Sequence, residues 1–196
     1  MQTPLRAAAL VLVAAGTAAS GCDLVLFEAP RMSETPSTPF ITTDLDVYEA
    51  EIGEMVVQSD TIWYVELTIP MTYTNRSGEV VWLTSCGQDY IHPPRLERRV
   101  DGAWETAYEP PHRACGGPSI RLEPGASHSY EFRIRGHDPH SAARVQPVWY
   151  PDQVAGEYRI NWWKSLVLVT GQDRLPDPVP LEERISNTFR ITGSLP

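Results

Sequence analysis

The stretch IWYVELTIPMTYT, residues 62–74, decides the fold. Val65, Leu67, Ile69, Met71 and Tyr73 are apolar, while Glu66, Thr68, Thr72 and Thr74 between them are polar. A period of two sends successive side chains to opposite faces, which describes a half-buried strand and not a helix. Pro70 stands among the outward positions. It has no N–H to give a ladder, so a sheet edge or a bulge is expected there.

Working outward, Asn75-Arg76-Ser77-Gly78 is turn chemistry and EVVWLT after it reads as the next strand. Asn75-Arg76-Ser77 also fits a glycosylation acceptor, but the turn is the preferred reading. RLERRV and AWETAY flank Asp101-Gly102, a strong hairpin signal. IRL runs into Glu123-Pro124-Gly125, with Pro and Gly at the two central turn positions, and SHSYEFRIR then alternates with Tyr130, Phe132 and Ile134 on one face. GEYRINWW, SLVLVT and NTFRIT complete the set, the last two separated by a Pro- and acid-rich loop at 171–187. No segment of the body carries a sustained helical repeat. Seven to eight short strands with this punctuation predict an all-β chain, an antiparallel β-sandwich of immunoglobulin-like type over residues 45–196.

The first 21 residues differ. One arginine, Arg6, precedes the small, apolar run AAALVLVAAGTAAS, too short to span a bilayer but shaped like a secretory signal. Its end, Ala19-Ser20-Gly21-Cys22, resembles the lipobox of bacterial lipoproteins, with Ala19 where Leu is usual. The resemblance implies cleavage before Cys22 and lipidation of that residue with diacylglycerol and palmitate-type acyl chains. Each buried methylene then contributes about 0.8 kcal/mol to anchoring. Residues 22–44, rich in Pro, Ser and Thr, read as an extended tether. The expected address is the cell envelope, membrane-anchored and facing periplasm or exterior.

If Cys22 is lipidated, Cys86 and Cys115 are the two thiols left, and export favours a disulfide between them. Closing a loop of about 30 residues stabilises by about 3–4 kcal/mol. The alternative is a metal site built from Cys86, His92, His112 and Cys115, although the Cys86-to-His92 spacing is not a standard zinc knuckle. His137-Asp138-Pro139-His140 is a second His cluster, which Pro139 makes a loop.

The chain carries a net charge of −9, and loss of Arg6 makes it more acidic, which argues against nucleic acid as a partner. It has no G-x-S-x-G elbow, no H-E-x-x-H and no Gly-rich phosphate loop, so neither an enzyme nor a cofactor is expected. Neighbouring aromatics are more informative. Trp162 and Trp163 cannot both enter the core of one strand, nor can Trp149 and Tyr150. Trp163, Arg159 and Trp149 therefore form a candidate partner surface, unless a loop such as 171–187 covers them.

The order IPMTYTNRSGEVVWLTSCGQDY, VDGAW, RLEPGASHSYEF, VAGEYRI, over about residues 60–163, resembles the BsuPI-type intracellular proteinase-inhibitor family and related secreted immunoglobulin-like domains. The cysteine pair, the long loops and the lipid anchor depart from it. Tyr158, after Gly156, likewise resembles the tyrosine corner of immunoglobulin-like folds, with Val154 where an acidic residue is usual. Two functions follow as expectations. One is a non-catalytic binding or structural module of the envelope. The other, implied by the resemblance, is a proteinase inhibitor presenting segment 108–118 to an envelope protease; metal binding is the third alternative.

Overall fold

The computed structural model describes residues 38–85, 91–111, 119–162, 166–168 and 177–195. Its strands are β1 (Ile41–Thr43), β2 (Val47–Glu49), β3 (Glu51–Val57), β4 (Asp60–Thr74), β5 (Val81–Leu83), β6 (Arg95–Val100) and β7 (Ala103–Tyr108). Then come β8 (Ile120–Leu122), β9 (Ser127–His137), β10 (Gly156–Asn161), β11 (Leu166–Leu168), β12 (Asp177–Pro178) and β13 (Phe189–Thr192), with one 3₁₀ turn at Leu181–Arg184. The chain is all-β, with no α-helix among the described residues. Among the described residues thirteen strands stand where seven to eight were expected, and six of them have only two or three residues, too few to show an alternation.

β4 organises the first sheet. It pairs with β9 along one side, while β1 and β3 share the other side end to end. The second sheet runs β2-β13-β10-β6-β7, and all its pairs are antiparallel except β13 with β2. A smaller sheet runs β12-β11-β5-β8. Val65, Leu67, Ile69, Met71 and Tyr73 of β4 are buried, as their alternation demands, and form one core with Phe132 and Ile134 of β9, Leu96 of β6, Tyr158 and Ile160 of β10, and Phe189 and Ile191 of β13.

Pro70 corrects a simple expectation. It lies on a strand paired along both sides, not at a sheet margin. Its carbonyl accepts from the Asp44 amide at 3.3 Å, so its main-chain groups face the side of β1 and β3. β1 pairs with residues 71–73 of β4 and β3 with residues 60–66, so the missing N–H falls in the interval between them, a local edge inside the sheet.

The expected boundary also moves. Ile41, placed in the tether, is fully buried in β1 beside Tyr73, so the folded domain includes residues before 45. The turns follow their chemistry. Asp101 and Gly102 have φ of 48° and 86°, the left-handed pair a two-residue hairpin needs, and they join β6 to β7 with the expected boundaries. At Glu123-Pro124-Gly125, Gly125 has φ of 82° and the Ala126 amide donates to the Glu123 carbonyl at 2.9 Å.

Asn75 is wholly buried, which rules out a glycan on its amide. Its Nδ2 donates to the carbonyls of Glu79 at 2.8 Å and Leu122 at 3.0 Å, and its Oδ1 accepts from the Ser77 amide and hydroxyl. Its own main chain bonds Ala126 and Gly125. One side chain thus ties the turn after β4 to the turn before β9.

Candidate binding groove along an open sheet edge

In an antiparallel ladder the N–H and C=O of one residue point to the same neighbour, and alternate residues point to alternate sides. The Thr74 amide donates to Phe40 and the Pro70 carbonyl accepts from Asp44, so even residues of β4 face β1 and odd residues face β9. In register, the even residues of β9 bond to β4 and its odd residues point away. His137 confirms the parity: its amide donates to the Pro147 carbonyl and its carbonyl accepts from the Trp149 amide, both at 2.9 Å, on the far side from β4. Among the described residues no main-chain group bonds the outward N–H and C=O groups of Ser129, Glu131, Arg133 and Arg135.

A groove of about 500 Å³ lies beside this edge, lined by Pro93, Pro110 and Pro111 together with Tyr108, His128 and Tyr130. Tyr108 is nearly buried and packs on Phe132, with ring centroids 6.1 Å apart. Tyr130 lies 6.1 Å from the ring of Trp162, whose Nε1 donates to the His92 carbonyl at 2.7 Å. Burial holds the His128 imidazole below its ordinary pKa, so the groove presents it neutral at pH 7. Glu131 and Arg133 stand out from the strand, exposed and ion-paired at 2.6 Å. Prolines and tyrosines beside unpaired main-chain groups make a place for an extended polypeptide.

The surface expected from Trp163, Arg159 and Trp149 does not form as a unit. Trp149 is fully buried, its backbone packed on Gly136 so closely that a Cβ there would lie 2.9 Å from the Trp149 Cβ. Its neighbour Tyr150 is the exposed member of the pair, at 51%. Arg159 does face outward from β10, but its guanidinium sits 4.4 Å over the Trp104 ring and its Nε donates to Glu97 at 2.7 Å. Asn161 donates to the same carboxylate at 2.7 Å. With side-chain exposures of 19% and 10%, Arg159 and Glu97 are a packed pair holding β10 to β6, not a free contact surface. Trp163 lies outside the described residues, as do Cys22, Cys86, His112 and Cys115.

His92 is half-buried, its Nδ1 within 3.1 Å of the Pro93 carbonyl. The pair in HDPH separates: His137 is buried with Nδ1 3.0 Å from the Pro147 carbonyl, while His140 is exposed 3.9 Å from Asp152. Among the described residues no three His, Cys, Asp or Glu side chains gather to hold a metal. Of segment 108–118, residues 108–111 are described, and they run from buried Tyr108 into the groove wall. Tyr158 donates to the Val154 carbonyl at 2.6 Å, the bond of a tyrosine corner, made to a main-chain oxygen that needs no acidic side chain.

No family model, no curated protein and no solved structure matches the chain.

Proposed function

We propose that the chain is a cell-envelope lipoprotein, anchored through Cys22, whose β-sandwich of immunoglobulin-like type is a non-catalytic module that binds an extended polypeptide strand along the outer edge of β9. One observation carries the binding half of this reading: the outward main-chain donors and acceptors of Ser129, Glu131, Arg133 and Arg135 have no main-chain partner among the described residues and lie beside a groove lined by prolines and tyrosines. An added strand satisfies those groups and gains affinity from main-chain bonds, while the groove selects its side chains. The address rests on the lipobox resemblance of residues 19–22.

A photo-crosslinking amino acid at Ser129 or Arg133 of the full chain in its own envelope tests the edge. Polypeptide adducts are expected from these positions and not from Thr68, which faces out from the middle of the same sheet. Equal labelling from Thr68, or none from the edge, would refute the reading. Mass analysis of the mature N-terminus tests the anchor; an unmodified Cys22 thiol would remove it.

A further inference from the structure

We infer that the strand received by β9 is the β9 of a second copy of this chain, paired antiparallel about Phe132. The inference rests on the reading of β9 as a strand-accepting edge and names its occupant.

The edge lacks the usual guards. β9 keeps register with β4 through eleven residue pairs without a bulge, contains no proline, and turns no charged carboxylate or guanidinium inward. The open interval is bounded at one end by His137, whose outward groups already belong to Pro147 and Trp149. What remains among the described residues runs from Ser127 to Arg135, and an axis at Phe132 pairs Ser129 to Arg135 with itself while leaving Ser127 opposite the occupied His137. Outward residues of one strand must oppose outward residues of the other, so only a few registers exist. A pairing centred on Glu131 sets two carboxylates against each other, and one centred on Arg133 sets two guanidiniums against each other. Centred on Phe132, Glu131 opposes Arg133 of the second copy, and the two-fold axis repeats the contact. Ser129 then opposes Arg135, and each outward residue exchanges both main-chain bonds with its opposite number.

Glu131 and Arg133 already attract each other within one chain, so re-pairing them across the axis adds little affinity; the main-chain bonds supply that. The charges set the register, because the neighbouring alternatives are repulsive. The contact is isologous and closes on itself as a dimer.

The test is sedimentation velocity on the detergent-extracted full chain at physiological salt, where the net negative charge of each copy is screened. The native chain is expected to dimerise with rising concentration. Glu131→Arg alone and Arg133→Glu alone each place like charges opposite and should weaken dimerisation by about tenfold or more. Mixing the two variants restores both attractive contacts and should give a heterodimer, and Glu131→Arg with Arg133→Glu in one chain should dimerise like the native protein. A native chain that stays monomeric, single variants that dimerise unchanged, or a mixture that fails to pair would overturn the inference. If the native chain is monomeric while Ser129 and Arg133 crosslink to another polypeptide, the strand-accepting reading stands and the second copy is the wrong occupant.

Discussion

The hydroxyl of Tyr158 donates to the carbonyl oxygen of Val154 at 2.6 Å, closing the bend that leads into β10. The ring lies between Trp149, at 6.0 Å, and Phe189, at 6.5 Å, and burial pushes the phenol far above its usual pKa. Tyr158→Phe keeps the packing and strands the Val154 carbonyl. It should cost about 1–3 kcal/mol in a denaturant titration with the m-value unchanged; a loss of a few tenths would show that water replaces the phenol.

Asn75 supplies donors to two carbonyls on different turns and an acceptor to Ser77. Asn75→Asp preserves shape but aims a carboxylate oxygen at the Glu79 and Leu122 carbonyls. It should destabilise by about 2–4 kcal/mol at neutral pH, more than Asn75→Ser, and recover in part when acid protonates it. Equal melting of the two variants would refute the donor argument.

Glu97 receives both Arg159 and Asn161. Glu97→Ala leaves a largely buried guanidinium without its counter-ion and should cost about 3–5 kcal/mol. Glu97→Gln retains an acceptor and should cost less than half of that. Arg159→Lys cannot both stack on Trp104 and bond Glu97, so it should resemble Glu97→Ala more than a conservative change. Thermal melts of the three variants check the ranking.

The β3–β4 hairpin turns through Gln58 and Ser59, both at positive φ, 49° and 75°. Side chains pay for that conformation, and Asn-Gly does not. Gln58→Asn with Ser59→Gly should therefore stabilise by about 1 kcal/mol, read as a higher melting temperature; a loss would mean that the strain is compensated elsewhere.

Glu183 has one carboxylate oxygen buried without a hydrogen-bond partner among the described residues, and burial, then the nearby Glu182, raise its pKa. A carboxyl raised in the folded state favours the protonated form. Its contribution is present below the ordinary value of 4.5 and lost as pH rises through the raised one. Glu183→Gln should therefore melt higher than the native chain at pH 7 and with it near pH 4. Equal gains at both pH values would point to packing instead of charge.

Where local chemistry decides, the sequence was legible. β4 alternates as its residues dictate, and the hairpin at Asp101-Gly102 and the turn at Pro124-Gly125 follow from the φ each residue tolerates. β3 was missed because Gln58-Ser59 carries no turn signature. Trp149 was placed on a surface because a pair of adjacent aromatics says that one enters the core, not which. The small Gly136 opposite makes room for it, and that contact spans distant positions. Arg159 looked available because its strand face is outward, yet Trp104 and Glu97 arrive from β7 and β6 to cover it. The β9 edge was invisible for a different reason. A strand is an edge by what fails to lie beside it, and its own residues do not record that.

The parallel pairing of β2 with β13 has a consequence for how the chain reaches this state. Val47 of β2 sits opposite Arg190 of β13, and Thr43 of β1 exchanges hydrogen bonds with the Asn187 side chain just before β13, so segments from the two ends of the described fold complete each other. Such closure demands contacts between the most distant segments, which slows folding and postpones its final step until the last residues are available. Synthesis alone therefore cannot lock the domain. A ribosome-bound chain still lacking β13 has no partner for β2 and leaves Tyr158 short of Phe189. The unfinished chain acquires its resistance to unfolding only once β13 has joined the sheet.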